Sequence, residues 1–216
     1  RIGFWLNIEH PYITYENNYI ESLWWIIKQI HQKGLLYKGH KVVPYCPRCG
    51  TTLSSHEVAQ GYKAVKENSI YVKFPVKGQP NTYFLVWTTT PWTLPANVAL
   101  AVGKNIQYKK IQNLDNGDIY ILAFLRIGDV LKSDNLKNIS DIGAGELIGL
   151  EYEPLFPFSK PDKKAYFIVS GDFVSTEDGT GVVHTAVMYG EDDYNLGTKL
   201  GLPKFHTVDE AGKFIN

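Results

Sequence analysis

The apolar positions of this chain change their period partway along it. In residues 18–33, Ile20, Leu23, Trp24, Ile27 and Ile30 recur at intervals of three and four, which marks one face of a helix, and Gly34 ends the run. Trp24 and Trp25 make that face bulky, as a surface packing against a neighbour would be. Residues 41–63 hold Cys46 and Cys49 and read as a small knuckle or hairpin. From Ser69 the runs become short, aromatic and β-branched, at 70–76, 83–88, 98–102, 106–111 and 119–124. Gly, Asn, Asp and Pro separate them. Residues 127–164 read as irregular, with prolines at Pro154, Pro157 and Pro161. Strand patterns return at 165–170 and 181–186, and residues 192–200 predict a short helix closed by Gly201. Strands at this spacing suggest a barrel or sandwich.

Composition narrows this further. With 216 residues the chain can bury one good core and a small appendage. It begins at Arg1 without a signal or transit pattern and reads as a piece of a larger protein. No apolar run approaches membrane-spanning length, because Lys28, Gln29 and His31 interrupt the longest helical pattern. The 22 basic residues balance the 22 acidic ones, so any nucleic-acid contact should be local, such as one strand end. Two cysteines in one CxxC do not make a secreted disulfide framework. They are spaced as half of a zinc ribbon, and four ligands are the norm.

Three features could carry chemistry. The first is Trp87-Thr88-Thr89-Thr90-Pro91-Trp92-Thr93-Leu94-Pro95-Ala96-Asn97, a hydroxyl cluster where an apolar run meets a Pro-Trp turn. By itself a threonine triplet is ordinary strand surface. The second is Gly179-Thr180-Gly181-Val182-Val183-His184-Thr185-Ala186; a lone histidine after an apolar strand is ordinarily a hydrogen-bonded structural residue. The third is Gly190-Glu191-Asp192-Asp193-Tyr194, whose acids fall in a helix's first turn, where the macrodipole favours carboxylates. No Ser/His/Asp or Cys/His set is evident.

Together these segments resemble the editing domain, or connective peptide 1, of isoleucyl-tRNA synthetases. The resemblance extends over Asn7-to-Tyr19 (NIEHPYITYENNY), Ile20-Glu21-Ser22-Leu23-Trp24-Trp25, Val43-Pro44-Tyr45-Cys46-Pro47-Arg48-Cys49-Gly50, Leu53-to-Ala59 and Val208-to-Phe214. Valyl and leucyl editing domains carry Thr-Thr-Arg-Pro where this chain has Thr-Thr-Pro-Trp, so Pro91-Trp92 points to the isoleucyl branch. The family usually has proline where this chain has Val187, a departure expected to loosen the loop that carries Asp193.

The resemblance implies a mainly β (α+β) fold, barrel-like with peripheral helices. It would divide into a helical connector over 1–40, a CxxC knuckle over 41–66 and an editing core over 67–216. The implied reaction is hydrolysis of the ester of mischarged Val-tRNA(Ile) by a positioned water, within an isoleucine-tRNA ligase that binds ATP elsewhere. Asp193 would hold the substrate's α-ammonium, while Thr88, Thr89 and Thr90 orient ester and water. Trp87, Thr93, Asn97 and His184 would line the substrate site, with His184 selecting by size and not acting as general base. Editing needs no cofactor; zinc on Cys46 and Cys49 is implied only for the full-length protein, where a second cysteine pair follows. The implied partners are the tRNA(Ile) 3′ end, the valyl group and the remainder of the synthetase, in a cytoplasmic monomer. The rival expectation is a non-catalytic tRNA-end-binding or zinc-knuckle module.

Overall fold

The computed structural model describes residues 3, 5, 7–157 and 160–215. The chain forms two compact units, Arg1–Lys41 and Val42–Asn216. The first holds helix α1 (Asn17–Gln32), none of whose residues is buried. Backbone N–H groups of Lys33 and Gly34 close its last turn, and Gly34 takes the left-handed conformation that ends it.

The second unit opens on a two-strand hairpin, β1 (Tyr45–Cys46) with β2 (Thr51–Thr52), and on α2 (Ser55–Gln60). Ser54 and Glu57 form a reciprocal capping box that starts α2. Next come β3 (Ile70–Pro75), β4 (Thr82–Thr88), the 3₁₀ turn Pro91–Ala96, β5 (Ala99–Val102), β6 (Gln107–Asn113) and β7 (Ile119–Ala123). The 3₁₀ turn Phe124–Arg126 leads into α3 (Ile127–Val130), β8 (Leu136–Gly143) and α4 (Ala144–Leu147). Last are β9 (Phe167–Ser170), β10 (Val182–Thr185) and α5 (Glu191–Leu200).

These strands make two open sheets among the described residues, in the orders β3-β4-β7-β6-β8 and β10-β5-β9, and do not close into one barrel. Each sheet contains one parallel neighbour pair, β4 with β7 and β5 with β9. β5 is buried at every position, which suits a central strand covered on both faces. The main core gathers Phe74, Phe84, Val86, Leu100, Ile121 and Ile168 from both sheets with Leu147 from α4. Each such side chain stabilises the fold by about 1.5–3 kcal/mol.

Residues 127–164 are less irregular than their sequence suggests. β8 is an edge strand whose Lys137, Asn138, Ile139 and Asp141 are exposed, so it shows no apolar alternation. Its pairing with β6 shifts register between Lys110 and Ile111, as a bulge does.

A buried hydroxyl–imidazole–amide relay beside an unpaired carboxylate

β4 ends at Thr88, and the chain turns at once through Thr89 and Thr90 into Pro91–Ala96. Pro91 suits the first helical position, where an N–H has no partner to lose. The turn carries Thr93 back under Thr90, whose carbonyl accepts the Thr93 hydroxyl at 2.9 Å. Thr88 Oγ1 accepts the Thr90 N–H at 3.1 Å and lies 3.4 Å from Thr90 Oγ1. Thr88 is buried, whereas Thr89 and Thr90 are exposed.

His184 enters from β10, which pairs with β5 and sets His184 opposite Leu100. Two glycines shape the approach. Gly179 and Gly181 both have positive φ, and a Cβ on Gly181 would lie 2.5 Å from Ala123 Cβ. A Cβ on Gly179 would come within 3.0 Å of the Trp87 ring, so Trp87 backs the Gly-Thr-Gly turn. Tyr108 donates to the Gly181 carbonyl at 2.7 Å and accepts the Gly103 N–H, tying that turn to the end of β5.

The imidazole is bonded at both nitrogens. Nε2 lies 2.7 Å from Thr93 Oγ1, and Nδ1 lies 3.2 Å from Asn97 Nδ2. The same amide nitrogen donates to the Ala99 carbonyl at 2.9 Å, and Asn97 Oδ1 accepts from the Tyr152 hydroxyl at 2.5 Å. These partners fix every proton. Ala99 O only accepts, so the amide nitrogen faces it. That nitrogen donates its second proton to Nδ1, so Nε2 carries the imidazole proton and gives it to Thr93 Oγ1. Thr93 then donates to the Thr90 carbonyl. The relay runs one way, from Tyr152 through Asn97, His184 and Thr93 to Thr90. Burial holds the imidazole neutral, its pKa pushed down to about 4. With Nδ1 already accepting and Nε2 protonated, His184 is not arranged to take a proton.

Asp193 lies in the first turn of α5, behind the exposed Glu191 and Asp192. Its carboxylate accepts from the backbone of Ala186, two residues past His184, which brings the acid to the loop leaving β10. Burial and the neighbouring Asp192 charge push its pKa up to about 7, against the opposing bond from Ala186. None of the ion pairs among the described residues involves it. Val187 stands where the resemblance expects proline. Val187 is buried and packs on α5 so closely that a Cβ on Gly197 would meet its methyls at 2.5 and 2.6 Å. Trp92, about half exposed, packs edge-to-face on Tyr189 at 5.1 Å, joining the threonine turn to the same loop.

The structure thus brings Thr88, Thr90, Thr93, Asn97 and His184 into one network and sets Asp193 in the first turn of α5, after the loop that leaves β10. Thr89 sits exposed between the two bonded threonines. Tyr152, Tyr108 and the Ala186 N–H escaped the sequence reading. Only Tyr152 left a trace, the alternation Leu150-Glu151-Tyr152-Glu153, which has the period of a strand with one face inward.

Cys46 and Cys49 face each other across the β1–β2 turn, with the Cys49 N–H on Cys46 Sγ at 3.4 Å. That N–H is the main cause of a lowered Cys46 pKa. Among the described residues no third His, Cys, Asp or Glu joins them. Two thiols fall short of the four donors zinc takes in a structural site. No helix of the described residues is long and apolar enough to cross a membrane.

An isoleucine–tRNA ligase from Clostridium acetobutylicum is 56% identical over 216 residues, all of this chain and 20% of the relative. One from Bacillus thuringiensis is 54% identical over 213 residues, 99% of this chain and 20% of the relative. The chain therefore spans about a fifth of the length of these relatives. Its fold is similar to the crystal structure of GlLeuRS-CP1, with a TM-score of 0.51 and 17% identity over 62% of this chain and 60% of that one. The model of tRNA synthetases class I (I, L, M and V) matches residues 1–194, and the chain belongs to that family.

Proposed function

We propose that this chain is the editing region of an isoleucine-tRNA ligase and hydrolyses the ester of mischarged Val-tRNA(Ile). The observation that carries the reading is a largely buried carboxylate with no cationic partner among the described residues, on the helix that follows the strand of His184, which is itself bonded to the threonine turn. An aminoacyl ester supplies what each lacks: an α-ammonium for Asp193, and a carbonyl and ribose for the threonines. The identity to isoleucine–tRNA ligases selects the branch.

In this reading Asp193 anchors the ammonium and thereby sets the ester carbonyl near Thr88, Thr89 and Thr90. Their hydroxyls orient the carbonyl and the attacking water, as fixed donors do at a developing oxyanion. The ester is intrinsically labile, so no covalent nucleophile is required. His184 stays neutral and stands as a wall, with Thr93 and Asn97 holding it in place; Trp87 and Trp92 bound the threonine turn. Selection by size is needed because one methylene discriminates by only about 1–3 kcal/mol, a limit whose standing example is isoleucyl-tRNA synthetase itself. A second, smaller pocket then removes what the first admits.

The partners are the 3′ end of tRNA(Ile), the valyl group and the rest of the synthetase, in a cytoplasmic monomer. ATP chemistry belongs outside this region, and editing needs no cofactor. Cys46 and Cys49 would supply two of four zinc ligands in the longer protein. The test is deacylation of valyl-, threonyl- and isoleucyl-tRNA(Ile). Rapid loss of the valyl ester with the isoleucyl ester spared is expected. Binding of the tRNA end without hydrolysis would return the non-catalytic module.

A further inference from the structure

Tyr152 is a core side chain in every respect but one. It is 2% exposed, and its ring packs edge-on against Phe74 at 5.4 Å and Tyr166 at 6.1 Å. A phenylalanine would fill the same space without a polar atom. A buried hydroxyl costs free energy unless it is bonded. Its bond goes to Asn97 Oδ1, at the head of the relay that ends beside the threonine row.

We infer that Tyr152 is a positioning residue for the proposed editing site: its hydroxyl clamps the Asn97 amide and so fixes the tautomer of His184. The inference rests on the editing reading only for its catalytic consequence. Asn97 is gripped at both ends, by Ala99 O on the nitrogen side and by Tyr152 on the oxygen side. While both hold, the amide can only donate to His184 Nδ1. Without the Tyr152 hydroxyl, Oδ1 is buried and lacks that donor, and only Ala99 O still opposes turning the amide over, a turn that gives Oδ1 the proton of a protonated Nδ1 and loses the Ala99 bond. Nε2 then becomes an acceptor. The Thr93 hydroxyl must turn to donate to it and leaves the Thr90 carbonyl. The core hydroxyl and the Ala99 carbonyl together thereby set the direction of every bond as far as Thr90.

Tyr152→Phe tests this, since it keeps the ring and its packing. In the ¹⁵N-labelled 216-residue chain, ¹⁵N NMR of the histidine ring nitrogens should show His184 wholly as the Nε2–H tautomer. In the variant an Nδ1–H population should appear, or the ring signals should broaden by exchange. Deacylation of Val-tRNA(Ile) should fall about tenfold in kcat with KM little changed, on the order of one hydrogen bond lost from the transition state. Asn97→Asp reads the same clamp from its other side and serves if Tyr152→Phe fails to fold. A carboxylate can only accept, so His184 should switch to Nδ1–H. A pure Nε2–H spectrum in either variant overturns the inference. So does a tautomer shift in Tyr152→Phe with unchanged kcat, because the clamp would then not reach the site. Failure of the unaltered chain to deacylate removes the editing reading instead, and the NMR result stands apart from it.

Discussion

Replacing Asp193 with asparagine should stabilise this protein while abolishing its proposed activity. The carboxyl titrates near 3.8 when exposed and near 7 in the fold, driven chiefly by burial. The unfolded chain therefore loses its proton first. Stability falls as pH rises from about 4 to about 7 and levels off above that. Three pH units at 1.36 kcal/mol each set a ceiling of about 4 kcal/mol. The carboxylate is only partly buried and lies in the first turn of α5, where the macrodipole favours its charge. About 1–2 kcal/mol is the expected net cost at pH 8. Asparagine keeps the shape and lacks the charge. At this chain length the gain corresponds to a melting point about 2–8 °C higher at pH 8. At pH 3.5 the difference should shrink toward zero, since the carboxyl is then largely protonated in both states. Titration of His184 is common to both proteins and cancels in the comparison. Thermal unfolding by circular dichroism at the two pH values, with Val-tRNA(Ile) deacylation alongside, measures both effects. Equal melting points at pH 8 would refute the claim that burial strains the acid. A variant that still deacylates would refute its pairing with the ammonium.

Gly197→Ala should destabilise by about 1–3 kcal/mol in urea unfolding, because its methyl would meet Val187 at 2.5 Å. Adding Val187→Ala should restore part of that loss; strict additivity of the two changes would show that they do not touch. Native His184 stays neutral to about pH 4 while the unfolded imidazole protonates near 6.5, so stability should drop as pH falls through that window, by up to about 3 kcal/mol. His184→Gln should flatten this limb when urea midpoints at pH 7 and pH 4.5 are compared. His184→Ala should let the site hydrolyse isoleucyl-tRNA(Ile), seen in the longer enzyme as reduced net charging with isoleucine; full retained discrimination would move the size filter to Thr88–Thr93. Converting Thr88, Thr89 and Thr90 together to alanine should slow deacylation at least tenfold with the domain still folded, and normal turnover would return the run to ordinary strand surface.

The sequence exposed whatever depended on local pattern. The periodicity of Ile20 to Ile30 and the apolar runs of β3 to β7 announced their elements, and Gly201 announced the end of α5. β8 was hidden because an exposed edge strand needs no apolar alternation. Sheet order was hidden as well: nothing in residues 82–88 records that β4 lies parallel to β7 and not beside β5. The site divided in the same way. Residue type and spacing alone read the threonine run as strand surface and Asp193 as a helix start, and only the family resemblance marked them as site residues. The relay through Tyr152 depends on a partner 55 positions from Asn97 in sequence, which no local motif encodes.

The two titratable groups of the site explain why it suits a cation more than it suits acid–base chemistry. Burial moves both toward their neutral forms, lowering His184 and raising Asp193. Burial holds the imidazole there, with both of its nitrogens hydrogen-bonded. The carboxyl is held there only by burial and the Asp192 charge, against the bond from the Ala186 backbone. An entering ammonium supplies the missing counter-charge and reverses the balance at Asp193 alone. Near pH 7 such a site favours a cationic ligand because binding one relieves its own strain, while the uncharged wall beside it offers no competing base. In the proposed editing reaction, hydrolysis is then left to the threonine hydroxyls and water, which suits an ester that needs orientation more than activation.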